Sequence, residues 1–287
     1  LLFLSYAGLV LLNEAAVHGA GEAEPQHSGL WRGVFIHKNV AGPVMAMLLF
    51  VGLYIMRRGS TAVGLFIALA AFVFVYKTGS KTSLGLAPLV IAAVWLPSML
   101  GLRTFVALIA VAAIISAHAL TIGTVFSDGL DDVLRLFFPN TTFTGRTEIW
   151  LFAKDYLQGM PIGGYGYAGF WGSDLVSSAE QPFDGNWDPR GIIHGHNGYL
   201  DALLIFGLPG LVLLSWVTIF APAIQYARAP RTLPNNALND MLLMIVLFGA
   251  LNAALESFFF NRADPVWLTM VLALFGLRLA SRFSISN

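Results

Sequence analysis

Eight stretches of this sequence are long and apolar enough to force the rest of the fold around them. A helix needs roughly 17–25 mostly apolar residues to cross about 30 Å of hydrocarbon. On that rule the pattern predicts spans near residues 1–17, 40–56, 61–77, 83–100, 104–123, 198–220, 238–258 and 265–281. Only 11% of the 287 residues are charged, against about 25% in an ordinary soluble domain. The expected fold class is therefore an all-α polytopic membrane protein of about eight transmembrane helices. The chain opens on Leu1, inside an apolar run, and reads as a fragment or processed product with earlier helices missing. No signal-peptide pattern is visible. It contains no cysteine, which excludes a disulfide framework and any thiolate metal site.

The zero formal charge hides an asymmetry. One set of inter-helix loops holds Arg57, Arg58, Arg103, Arg228, Arg231, Arg278 and Arg282, with Asp240 as its one acid. The other set holds the remaining nine basic residues and fifteen of the sixteen acids. Short cytoplasmic loops carry the excess of arginine and lysine, so the first set is expected inside and the long polar segment 124–197 outside. The expected organisation is N-terminal helices over 1–123, a large outer loop over 124–197 and C-terminal helices over 198–287, forming one integrated membrane domain.

The chemically rich sequence then all faces outward, where nucleotide cofactors are normally absent. "GYGYAG" at 164–169 matches the spacing of a dinucleotide-binding loop, but it lacks the preceding strand and the βαβ context that give the motif meaning. It reads as a flexible glycine- and aromatic-rich loop near the membrane. "FIHKNVAGP" places Lys38 and Asn39 just before a span, and "YKTGSKTSLG" places Lys77 and Lys81 at a helix–helix turn. Basic heads there can snorkel to the headgroups. Lys77 fits that reading; Lys81, between Ser80 and Thr82, divides evenly between snorkelling and lining a cavity.

"TFTGRTEIWLFAKDYLQGMP" carries one apolar stripe at helical spacing, Ile149, Trp150, Ala153, Tyr156 and Leu157. It predicts an amphipathic helix in the outer loop, capped by Thr144 or Gly145, stopped by Pro161 and lying on the membrane surface. Arg146 falls in its first turn, where the helix dipole disfavours a cation by about 0.3–1 kcal/mol. Either it pairs locally with Glu148 or a lipid phosphate, or its planar fork reaches an anionic ligand.

The stretch "IIHGHNGYLDALLIFGLPGLVLL" raises the sharpest question. His196 and Asn197 open a helix, and Asp201 lies four residues after Asn197 on the same face. A carboxylate there is costly unless it faces the bundle or a wet cleft. Histidine can exchange a proton near neutral pH. His194 and His196 alternate like paired ligands, but no third ligand is placed by spacing, since His18, His27 and His37 lie far away in sequence. No metal is expected.

At these residues the sequence resembles the O-antigen ligase and polymerase superfamily of bacterial membrane glycosyltransferases. The ordered motifs are "HKNVAG", "TGSKTSL", "TGRTEIW", "PIGGYG", "HNGYLDALLIFGLPGL" and "ESFFFN", spread over roughly 32–275. "FIHKN" and "SKT" are most similar to exopolysaccharide polymerases of the succinoglycan type. The resemblance implies transfer of a polyprenyl-diphosphate-linked oligosaccharide to an acceptor hydroxyl at the periplasmic face of the inner membrane, without nucleotide, metal or other cofactor. It implies Arg146 and His196 as catalytic residues. Lys81 stands where relatives carry a second arginine, a departure that loses bidentate geometry. Lys38, Asn39, Asn197, Tyr199 and Asp201 join Lys81 as candidate substrate-binding residues. Expected partners are the lipid-linked glycan, membrane lipids, a chain-length regulator and export machinery, with no nucleic acid. Alternatives are ligation to lipid A-core, protein O-glycosylation, a flippase for the same glycan, or a scaffold in an export complex.

Overall fold

The structure is a computed structural model describing residues 1–22, 25–141, 143–179 and 188–283. The chain is an all-α polytopic membrane protein. Its main helices are α1 (Leu2–Leu11), α2 (Lys38–Arg57), α3 (Thr61–Thr78), α4 (Lys81–Met99), α5 (Arg103–Ala119), α6 (Asp128–Phe137), α7 (Arg146–Asp155), α8 (Gly198–Ser215), α9 (Ala221–Arg228), α10 (Leu233–Asn252) and α11 (Pro265–Ala280). A π-helical turn, Trp216–Phe220, joins α8 to α9 without interruption. Six helices are long and apolar enough to span a membrane; α1 and α11 are shorter. All eight predicted apolar helices are therefore present, although the first ends at Leu11 instead of running on to residue 17.

The chain forms two compact units, one of Leu1–Ala110, Pro222–Asn252 and Arg262–Asn287, the other of Val111–Ala221 and Ala253–Asn261. In the first, α2 and α3 approach until backbones touch. A Cβ on Gly52 would lie 2.7 Å from Ala68 N, and one on Gly64 would overlap Met56 N. Only glycine allows that approach, a common route to tight helix pairs in lipid. Chain reversal at Gly79, in the left-handed region at φ 62°, brings the start of α4 beside the start of α2.

At the other end of this unit Asp240 is fully buried, accepting from Arg57 Nη1 (2.6 Å), the Tyr226 hydroxyl (2.6 Å) and the Ser98 hydroxyl (2.8 Å). Arg103, also buried, donates to Ala229 O at 2.6 Å and to Asn236. Arginines that read as loop charges are thus spent on internal partners, as buried charge requires. This explains why α10 begins at Leu233, earlier than the predicted 238: Asn236 and Asp240 in its first turns have partners within the protein. It also ends earlier, at Asn252, and the chain leaves the helix as the irregular segment 253–261.

In the second unit the apolar stripe of α7 does not face lipid. Ile149, Trp150 and Ala153 pack with Val125, Phe170, Val176, Leu200 and Leu204 into one core, and Trp150 is fully buried. Periodicity identified the stripe; what covers it is protein. The more exposed apolar face belongs to α6, with Leu136, Phe137 and Phe138 open.

The "GGYG" loop is not loose either. Gly207 (φ 66°, ψ −168°) breaks α8, and Pro209 lacks the N–H that Ile205 O would otherwise accept. The freed carbonyls of Leu204 and Ile205 accept instead from Tyr165 N (2.7 Å) and Gly166 N (3.0 Å). Gly164 (φ 77°) is required because a Cβ there would sit 2.6 Å from Gly207 N. Unpaired carbonyls at membrane depth cost several kcal/mol each, so the loop is strapped to the helix.

Candidate functional site

The site in the second unit is built on the turn His194–Gly195–His196. Asn197 caps α8, accepting from Tyr199 N (3.1 Å) and Leu200 N (3.0 Å). Its amide donates to Ala254 O at 3.0 Å, while Gly198 N donates to Ala253 O at 2.8 Å. The helix start is thereby tied to segment 253–261. Gly195 is gripped from both sides: its N–H donates to Asp201 Oδ1 (2.9 Å), and its carbonyl accepts from Trp150 Nε1 (2.9 Å). Trp171 Nε1 donates to the same Asp201 oxygen at 2.8 Å. Asp201 therefore has its partners, and its place one turn inside the helix follows from holding that turn.

His196 emerges from this clamp with φ 51°, in the left-handed region. Non-glycine residues held there typically cost about 1–3 kcal/mol and collect at functional sites. Its Nδ1 lies 3.7 Å from Glu256 Oε2, within ion-pair reach but longer than a hydrogen bond. The other oxygen of Glu256 accepts from Arg146 Nη2 at 2.8 Å. Arg146 starts α7 after Gly145, the left-handed N-cap, and pairs with Glu256, 110 residues away, in preference to Glu148 in its own first turn. The His194 and His196 rings meet edge to face, centroids 4.2 Å apart.

Burial pushes the Glu256 carboxyl up, but the His196 imidazole and the Arg146 guanidinium more than offset it, so the pKa is lowered and the carboxylate is ionised at neutral pH. Burial, then His196 and more weakly Arg146, depress His194 to about 4, with Glu256 pulling the other way. His194 is thus neutral in the folded protein where the unfolded chain titrates near 6.5. Its contribution is present above that value and is lost as pH falls toward 4. Thermal melts should drop over this window, and His194→Gln should flatten part of the drop; an unchanged profile would contradict the assignment.

The sequence-predicted residues divide between the units. Arg146 and His196 come together through Glu256, which sequence reasoning missed as a site residue although it begins "ESFFFN". The signal available was an acid at the end of a predicted span. Asn197 and Tyr199, expected among the substrate contacts, have partners within the protein. Asn197 is fully buried with both side-chain polar atoms engaged. The Tyr199 hydroxyl bonds Thr218 Oγ1 at 2.8 Å, and its ring packs on His118 and Phe259. Lys38, Asn39 and Lys81 belong to the first unit. Lys38 is buried at the start of α2, its N–H donating to His18 Nε2 at 3.2 Å. Asn39 N donates to the capping His37 Nδ1. Lys81 is exposed at the start of α4, behind the Ser80 cap.

The sequence profile of the O-antigen ligase family matches residues 44–215. The chain belongs to that family. This O-antigen ligase family member is also 29% identical over 130 residues to the exopolysaccharide production protein ExoQ of Rhizobium meliloti (strain 1021). The match takes in 42% of this chain and 30% of that relative, so the shared stretch is under a third of ExoQ's length. No solved structure matches the chain. The family match contains Arg146 and His196 but ends before Glu256.

Proposed function

We propose that the protein polymerises lipid-diphosphate-linked oligosaccharide repeat units into an exopolysaccharide or O-antigen chain, at the periplasmic face of the inner membrane. The observation that carries this reading is the Arg146–Glu256–His196 array, held on a clamped turn in a member of the O-antigen ligase family. The similarity to an exopolysaccharide production protein favours polymerisation over ligation to lipid A-core or to protein.

In this mechanism the acceptor hydroxyl attacks the anomeric carbon of the donor. A new C–O bond forms, the bond from that carbon to the diphosphate breaks, and the polyprenyl diphosphate leaves with the electron pair. His196 takes the hydroxyl proton as the bond forms. With Nδ1 turned toward Glu256, Nε2 is the nitrogen left to accept it, and ionised Glu256 stabilises the imidazolium that results. Arg146 presents its fork to the leaving diphosphate and stabilises charge developing on the bridging oxygen.

The test is reconstitution. Full-length protein, given a polyprenyl-diphosphate oligosaccharide with chelator and no nucleotide, is expected to yield a ladder of longer glycans and free polyprenyl diphosphate. A folded protein that makes no product but moves the lipid-linked glycan between leaflets would replace the proposal with the flippase reading.

A further inference from the structure

Beside the histidine turn lies a cavity of about 250 Å³ whose walls differ in chemistry. Its aromatic lining residues include Tyr167, Phe170, Trp171 and Phe260. Its polar lining residues include Asp201 and His194, and the Ser257 hydroxyl stands beside Asp201. All of it belongs to the second unit. The volume falls just below the roughly 300–1,000 Å³ of pockets that take drug-sized ligands, so it suits one small ring and not an oligosaccharide.

Several features show a built pocket and not a gap left by packing. Trp171 is fixed by its bond to Asp201 Oδ1, and Phe170 packs edge-on against it with centroids 4.8 Å apart. Ala168 (φ 58°) and Phe260 (φ 59°), both lining residues, are held in the left-handed region that such side chains avoid. The strapped loop delivers Gly166 and Tyr167 to the rim, where Tyr167 is 65% exposed. His194 Nδ1 is buried without a hydrogen-bond partner. Buried imidazole nitrogens without a partner are uncommon in folded proteins, and this one calls for a polar group.

We infer that this cavity binds a single neutral pyranose ring, the acceptor sugar, stacking its C–H face on the aromatic wall and turning its hydroxyls to Asp201 and His194. A lining that mixes aromatic and polar side chains matches a ring that offers both C–H and hydroxyl groups. A prenyl chain would leave Asp201 and His194 bare in an apolar contact. A uronic acid would set a carboxylate against Asp201, with no arginine or lysine among the described lining residues to offset it. The identity as acceptor rests on the transfer reading above: His194 meets His196 edge to face, so a ring here brings a hydroxyl toward the proposed base. Binding itself does not depend on that reading.

The experiment has a binding arm and a turnover arm. Saturation-transfer NMR on the full-length protein in nanodiscs, with methyl glycosides of neutral hexoses and of a hexuronic acid as probes, reads binding alone. Neutral glycosides should give signals strongest at ring C–H protons, reduced several-fold by Tyr167→Ala and by Asp201→Asn, with the uronic acid silent. Tyr167 is a rim residue, so its variant tests the pocket without threatening the fold. In turnover, Tyr167→Ala should raise the acceptor KM about tenfold at nearly unchanged kcat, as expected for lost ground-state binding. Equal signals from neutral and acidic sugars, or signals and KM indifferent to Tyr167→Ala, would overturn the pocket while leaving transfer intact. Sugar binding that behaves as described in a protein that makes no product would retain the pocket and remove the transfer reading.

Discussion

His196→Ala is expected to remain folded in the membrane and to lose about 10²–10⁴-fold in elongation rate, the usual worth of a positioned general base. The side chain is 29% exposed, and the hydrogen bonds of the clamp run through other residues. The clamp itself is made by Gly195, Asn197, Asp201 and Trp150, all of which survive the substitution. A second variant separates chemistry from folding. His196→Gly removes the side chain and relieves the left-handed backbone at φ 51°, so it should melt no lower than wild type and be equally inactive. Initial rates with lipid-linked donor, alongside thermal melts, check both. Elongation within about tenfold of wild type in either variant would remove His196 from the chemistry, on the scale expected of a general base.

Arg146→Ala should cost about 10²–10³-fold in rate, as losing a pre-placed group that stabilises a leaving oxyanion does elsewhere. Here the loss carries a second effect. Glu256, 17% exposed at its side chain, loses its guanidinium partner. Breaking a buried pair from one side is destabilising by about 3–5 kcal/mol, and partial exposure of this pair places it at or below the lower end. Arg146→Ala should therefore lower the melting temperature as well as the rate. Adding Glu256→Gln removes the stranded charge, so the double variant should recover melting temperature and not activity. Arg146→Lys keeps the charge but loses the fork and should fall between. A double variant with wild-type turnover would show that Arg146 serves only to neutralise Glu256.

Much of this was legible in the sequence for identifiable reasons. Hydropathy found eight apolar helices because the lipid constraint is strong and local. Arg146 stood out because nothing in its own helix needs it, and His196 because it precedes a capped span. Glu256 was hidden because its partner lies 110 residues away and because the phenylalanines after it continue the apolar run, which masks the exit from α10 at Asn252. The stripe of α7 was readable but its cover was not, since periodicity reports a buried face and never what lies against it. Asn197 and Tyr199 looked like ligands for the same reason that they are good structural residues: a polar group at a span entrance must be satisfied, and here the protein satisfies it.

The seam between residues 162–166 and the break at Gly207 bears on how such chains can change in length. Surface loops ordinarily absorb insertions and deletions at little cost. This one cannot, because two of its amides are registered one to one with the carbonyls of Leu204 and Ile205. One added residue would slip that register, uncover a carbonyl and swing Tyr167 away from the cavity rim. Length variation in this part of the molecule is therefore confined to positions outside the seam, and a permissive site for a tag or label has to be sought beyond it.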